Sequence, residues 1–180
     1  MLFVCTGNIC RSPYLEYGLR ARLGGAAGDV RIESAGTAAL VDHPVAPAMQ
    51  RILHEQGIDA SDFRARRLNR DILDRAGLVV TAERDHRAFV SRLSPEHATK
   101  SFTLRQLSRL LDVPAPTIDA GTRVEFVLGH ARASRGMAGP ASAEDDIDDP
   151  WGRRMGVYRR TALQLDRGLE TLVTALVAAS

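Results

Sequence analysis

Short apolar runs alternate with helical patterns along this chain, and that alternation restricts it to a parallel sheet with helices on both sides. Leu2-Phe3-Val4 is the first run. It leads straight into Cys5-Thr6-Gly7-Asn8-Ile9-Cys10-Arg11-Ser12-Pro13, after which Leu15, Leu19 and Leu23 recur at helical spacing, with Ser12 suited to the N-cap and Pro13 to the first helical position. Gly24-Gly25 ends that helix. A second strand is predicted over Val30 to Glu33, and Ser34-Ala35-Gly36-Thr37 begins a long loop. A helix opens at Pro47 and is closed by Gly57, and a short one surrounds Ile72-Leu73. Leu78-Val79-Val80 reads as a strand buried on both faces. Residues 83–93 are predicted helical, Ser101 to Leu104 a last strand, and the stretch on to Leu111 another helix. Val124, Val127, Leu128 and Ala131 are spaced for an amphipathic helix between two weakly patterned stretches, Val113 to Pro116 and Gly136 to Asp149. The final helix, Met155 to Val177, carries Leu165, Leu169, Leu172 and Leu176 on a face for the sheet. No internal repeat or linker breaks the pattern, so residues 1–180 are expected to form one domain.

A chain of 180 residues with 44% apolar and 26% charged side chains has enough material for a core without disulfide or metal staples. No apolar stretch approaches the roughly 18 residues of a spanning helix, so no membrane partner is expected. The opening MLFVC has neither a basic n-region nor an extended apolar region, which makes the cytoplasm the expected compartment. There the two cysteines, Cys5 and Cys10, stay reduced, and they are too few to scaffold a fold. They read as chemistry. The 24 basic and 22 acidic side chains leave a net charge of +2, and Lys100 is the single lysine. Even the densest basic patch, Arg64, Arg66, Arg67 and Arg70, is followed by Asp71 and Asp74. With no long basic run and no interleaved aromatics, nucleic acid is not an expected partner.

The chemistry concentrates in residues 5–12. Cys5 falls at the carboxyl end of the first strand, the edge of an open α/β sheet where ligands bind. Five residues separate it from Arg11, and the loop empties onto a helix amino terminus. Inward-pointing N–H groups of such a loop hold an oxyanion, and the helix dipole adds positive potential that favours the Cys5 thiolate as nucleophile. Arg11 supplies a planar fork for two phosphoryl oxygens. A nucleophile beneath a tetrahedral anion with a bidentate cation above it makes a phosphoryl-transfer site.

Other chemistries lack their residues. The glycine-rich pattern ending in Gly-Lys-Ser/Thr is missing, which removes kinase and ATPase readings. No Cys-x-x-Cys occurs, and His43, His54, His86, His97 and His130 are too scattered for a zinc site, so no metal or other cofactor is expected and all five histidines read as structural.

Val4 to Pro13 resembles the signature loop of the low-molecular-weight protein tyrosine phosphatases. Ser34-Ala35-Gly36-Thr37, the Leu78-Val79-Val80 strand and a late Asp149-Pro150-Trp151-Gly152 appear in the order expected for that family. The resemblance implies an α/β three-layer sandwich with a four-stranded parallel sheet, order 2-1-3-4, flanked by helices. It also implies a mechanism. Cys5 attacks phosphorus, Arg11 and the N–H groups from Thr6 to Ser12 hold the phosphoryl oxygens, and the Ser12 hydroxyl bonds the Cys5 sulfur. Asp149 protonates the leaving phenolate and then activates water. Thr6, Gly7, Asn8, Ile9 and Cys10 line the anion cradle, with Asn8 suited to a left-handed backbone position. Cys10 is either a packed thiol or the partner of a reversible Cys5–Cys10 disulfide, and Trp151 either walls the pocket or packs on the fold. Asp149 is separated from Asp145, Asp146 and Asp148 by the Pro150 and aromatic residue that follow it. The partners implied are a phosphotyrosine-bearing protein and a tyrosine kinase, for a monomer or weak dimer.

Two departures from the family pattern bear on the site. Phe63 stands where members commonly carry a histidine that supports the loop asparagine, so Asn8 and Ser34 need other partners and a less rigid loop is expected. Ala38-Ala39-Leu40-Val41 replaces a stretch that often holds an aromatic, which makes the opposite pocket wall aliphatic. Related protein-arginine phosphatases have threonine at the position of Ile9; isoleucine offers no polar group to a guanidinium and favours an aromatic ring, so phosphotyrosine is preferred over phosphoarginine. Arsenate reductases that share the loop need further cysteines, and none follows Cys10. A silent phosphotyrosine-binding module would have no use for the Cys5, Arg11 and Asp149 set.

Overall fold

The computed structural model describes residues 1–28, 30–114, 122–137 and 142–178. Among them, four strands pair in parallel: β1 (Leu2–Cys5), β2 (Glu33–Gly36), β3 (Val79–Thr81) and β4 (Ser101–Thr103), in the order β2-β1-β3-β4. Around them lie α1 (Arg11–Leu23), α2 (Pro47–Glu55), α3 (Arg70–Asp74), α4 (Arg84–Leu93), α5 (Leu104–Leu111), α6 (Arg123–Ala133) and α7 (Met155–Ala178). Residues 115–116 and 138–141 of the two weakly patterned stretches lie outside the described residues.

The period-2 alternation of strand side chains sorts the core into two halves. Phe3, Val80 and Phe102 point to one face, where they join apolar residues of α1, α2, α5, α6 and α7. Leu2, Val4 and Val79 point to the other, against Leu68, Ile72 and Leu73 around α3 and Val90 of α4. The result is three layers. Both faces being covered is the reason β1 and β3 are apolar at successive positions rather than at alternate ones. Leu165, Leu169, Leu172 and Leu176 of α7 are fully buried and meet α1, α2, α5 and α6 in the larger core. Each such burial contributes roughly 2 kcal/mol.

Two sequence expectations are corrected. The second strand is Glu33–Gly36 rather than Val30 to Glu33, so Ser34-Ala35-Gly36 belongs to the sheet. These small residues have weak strand preference, but Ala35 lies opposite Val4 and Gly36 opposite Cys5, and pairing with β1 decides the matter. Helix α1 begins at Arg11 with Cys10 before it and no side-chain cap, so Ser12 is not the N-cap. Its hydroxyl is engaged elsewhere. Pro13 becomes the third helical residue, still within the turn whose N–H groups have no intrahelical acceptor.

Candidate active site

Because the strands are parallel, their carboxyl ends share one edge, which brings Cys5 from β1 and Glu83, two residues past β3, to the same place. The loop between β1 and α1 is held from outside. Carbonyls of Cys5, Thr6, Gly7 and Ile9 accept from the N–H groups of Thr37, Ala38, Leu40 and Ala46 at 2.8–3.0 Å. In a trans peptide the following N–H points opposite to the carbonyl, so the amides of Thr6, Gly7, Asn8 and Cys10 are turned away from that segment. Asn8 supplies the sharp bend with a φ of +54°, a conformation asparagine tolerates. At Gly36 any side chain would strike the carbonyl oxygen of Thr6, so only glycine lets β2 run this close beneath the loop.

The Cys5 thiol is buried, with Ser12 Oγ 3.0 Å from Sγ. Asn8 Nδ2 donates to Ser12 Oγ at 2.8 Å, which leaves Ser12 its own hydrogen for the sulfur. The same Asn8 nitrogen donates to Ser34 Oγ at 2.8 Å, while Asn8 Oδ1 accepts from the Arg66 N–H at 2.8 Å, and this fixes the orientation of the amide. Ser34 in turn donates to Glu16 Oε2 at 2.5 Å. Glu16 and the Arg66 backbone therefore supply the partners that Phe63 cannot. Phe63 packs instead edge-on against Tyr17, with ring centroids 5.9 Å apart. Burial pushes the Glu16 carboxyl above its ordinary value despite the Ser34 bond and Arg20.

Arg11 is 1% exposed. Its Nη1 donates to Glu83 Oε1 and to the Ile147 carbonyl, both at 2.6 Å, and Nη2 lies 2.7 Å from Asp149 Oδ2. Nε is buried without a hydrogen-bond partner among the described residues. Burial opposes its charge, but Cys5, Asp149 and Glu83 together outweigh burial and hold the guanidinium above its ordinary value. Cys10 differs from its neighbour: burial, then Cys5 and Asp149, push its thiol up to about 12, so it is protonated at neutral pH beside Tyr158.

A cavity of about 160 Å³ opens on this loop, lined by Cys5, Thr6, Gly7, Ile9, Cys10, Ala38, Leu40, Asp149 and Trp151. Its floor is the thiol and loop, and its mouth is apolar. Trp151 is 54% exposed at one side, and Ala38 with Leu40 forms the other. The segment carrying Asp149 is pinned by the Ile147 N–H on the Ala82 carbonyl at 3.0 Å, and Trp151 N–H donates to Asp149 Oδ1 at 3.1 Å.

The sequence reading missed three side chains. Glu83 anchors Arg11, Glu16 ends the Asn8–Ser34 chain, and His86, read as structural, places Nε2 2.8 Å from Thr6 Oγ1. A charged residue just past a buried strand, at the edge where Cys5 also lies, was the available signal for Glu83 and for His86 one turn later. Among the described residues the one trio placed to share a metal ion, Asp74, Glu96 and His97, involves none of the residues lining this cavity. No described helix is long and apolar enough to cross a membrane.

The sequence profile of the low molecular weight phosphotyrosine protein phosphatases matches residues 1–128. Over 129 residues, 72% of this chain and 84% of its own, the low molecular weight protein-tyrosine-phosphatase Etp of Escherichia coli (strain K12) is 33% identical. A protein-arginine-phosphatase of Geobacillus stearothermophilus is 29% identical over 176 residues, 98% of this chain and 95% of its own. The crystal structure of a low molecular weight protein tyrosine phosphatase from T. tengcongensis superposes with a TM-score of 0.72 at 28% identity, covering 96% of each chain.

Proposed function

Since the chain belongs to the low molecular weight phosphotyrosine protein phosphatase family, we propose that it removes phosphate from protein tyrosine residues through a cysteinyl-phosphate intermediate. The observation that carries this reading is the Arg11 fork. Nη1 is spent on Glu83 and Ile147, whereas Nε is buried without a partner among the described residues and Nη2 meets only Asp149 and, at 3.5 Å, Thr6. A phosphoryl group seated on the loop amides takes Nε and Nη2 together, one oxygen each, and displaces the Asp149 carboxyl toward the leaving group.

Cys5 sulfur then attacks phosphorus as the ester oxygen departs with a proton from Asp149. The Ser12 hydrogen bond steadies the sulfur's negative charge before attack and again when the sulfur leaves. In the second half, the Asp149 carboxylate takes a proton from water, the water oxygen bonds phosphorus, and inorganic phosphate and the Cys5 thiolate are released. The amides and Arg11 hold three equatorial oxygens through both steps, so their stabilisation is counted in each transition state.

Ile9, Ala38, Leu40 and Trp151 give the mouth a lining suited to an aromatic ring. The likeness to an arginine phosphatase along nearly the whole chain favours a second reading, phosphoarginine hydrolysis. Ile9 weighs against it, because a guanidinium beside this side chain loses hydrogen bonds to water and gains none. Partners in the preferred reading are phosphotyrosine proteins and the tyrosine kinase that modifies them. Purified protein is expected to hydrolyse phosphotyrosine peptides and aryl phosphates far faster than phosphoarginine, with turnover abolished in Cys5→Ser. Faster cleavage of phosphoarginine reverses the preference, and an active Cys5→Ser protein removes the mechanism.

A further inference from the structure

His86 sits in the first turn of α4 and is 4% exposed, with Nε2 2.8 Å from Thr6 Oγ1 and 3.4 Å from Glu83 Oε2. Nδ1 is buried and has no hydrogen-bond partner among the described residues. Burial, then the Arg11 charge, pulls its pKa down to about 4, so at pH 7 the ring is neutral and carries one hydrogen. Two neighbours decide where that hydrogen sits. On Nδ1 it would be a buried donor with nothing to meet, and the bare Nε2 lone pair would face the Glu83 carboxylate. On Nε2 it meets Thr6 Oγ1 with Glu83 beside it, and only an acceptor is left unmatched.

Arg11 Nη2 also points at Thr6 Oγ1, from 3.5 Å. With two donors directed at its oxygen, the Thr6 hydroxyl sends its own hydrogen elsewhere, and Thr6 lines the cavity beside Cys5. We propose that His86 is a positioning residue: by donating from Nε2 to Thr6 Oγ1 it turns the Thr6 hydroxyl hydrogen into the cavity, where it bonds an oxygen of the bound phosphoryl group. The identity of that anion rests on the phosphatase reading, while the coupling between the two side chains does not. Thr6 thereby contributes a side-chain donor in addition to its amide, and helix α4 contributes to anion binding without touching the anion.

The test is a double-mutant cycle read in two ways, inorganic phosphate binding by calorimetry and kcat/KM for an aryl phosphate. Thr6→Val and His86→Leu are each expected to weaken phosphate binding about tenfold, the value of one hydrogen bond to a charged group. The double variant is expected to lose no more than either single one, and His86→Gln, whose amide presents a hydrogen near the position of Nε2, is expected to recover most of the affinity. Additive losses, or a folded His86→Leu protein with wild-type affinity, overturn the proposal. Should His86→Leu not fold, Thr6→Ser must retain wild-type binding and Thr6→Val must lose it; equal binding by the two overturns it. Coupled phosphate binding without aryl phosphate cleavage sinks the phosphatase reading and supports this inference, and cleavage with additive losses does the reverse.

Discussion

Asp145, Asp146 and Asp149 share a chemistry and differ in their partners. Asp145 is buried on Arg109, Asp146 caps the N–H of Arg84 and pairs with its guanidinium, and Asp149 faces Arg11 over the cavity. Of the three, only Asp149 lines the cavity with Cys5, and the proposed mechanism gives it the proton for the leaving group. Asp149→Ala is therefore expected to lower kcat/KM by about 100-fold or more for phosphates with leaving groups of high pKa, and far less for those of low pKa. A leaving-group series measures this, and equal slowing across it places the acid elsewhere. His86 leads to a pH prediction. Its folded value, about 4, lies below its ordinary 6.5, so the stability tied to its neutral form is complete above pH 6.5 and is lost as pH falls toward 4. The full shift corresponds to about 3 kcal/mol. In urea unfolding at a series of pH values, His86→Gln is expected to show a flatter acid limb than wild type; parallel limbs contradict it. The loop residues and Asp149 were legible because their signals are local: five consecutive positions between a strand and a helix, and an aspartate before Pro-Trp. Glu16 was not, and Glu83 and His86 offered only their place just past a buried strand, since the partners of all three are brought within hydrogen-bond reach only once β1, β3 and α1 have assembled.

At the level of elements, the site depends on β2 passing beneath the loop. Gly36 pairs with Cys5 in the sheet and offers no Cβ toward Thr6, while Asn8 and Ala39 also crowd the position at 3.0 Å. Gly36→Ala should force the backbone apart, costing about 1–3 kcal/mol of stability and, because the carbonyls that orient the loop shift with it, at least tenfold in kcat/KM. Thermal unfolding and steady-state kinetics check both. A variant with wild-type values of each would show that the close approach is not needed. The same crowding explains why the second strand was misread. Val30 to Glu33 has the better strand-forming side chains, but Glu33 to Gly36 is the stretch that pairs with Leu2 to Cys5, and at its end Gly36 fits beneath the Thr6 carbonyl while the segment at Arg66 to Leu68 bonds it from the far side. The alternation of strands and helices was legible from hydrophobic period; exact strand limits, set by neighbours distant in sequence, were not.

In the molecule as a whole, the larger core joins the sheet to α7, whose buried leucines close over α1. Leu169 is fully buried and faces Gly18 of α1, the small residue that lets the two helices approach. Leu169→Ala is expected to cost about 3 kcal/mol by the cavity it leaves, with kcat retained by the folded fraction, because the helix carries no cavity-lining residue. Denaturant titration together with activity per folded molecule checks this; a loss of kcat at full folding would tie α7 to the site. One fold thus separates two regions, a buried apolar core and a loop whose amides and Arg11 the proposed function assigns to an anion. The proposed mechanism turns on a bond between phosphorus and the Cys5 sulfur, and that bond can be trapped. Rapid quenching during aryl phosphate turnover, followed by fragmentation of the peptide carrying residues 1–11, is expected to find one phosphoryl group on Cys5 and none on Cys10. Turnover with no phosphoryl group on the protein, or with the group on another side chain, contradicts it.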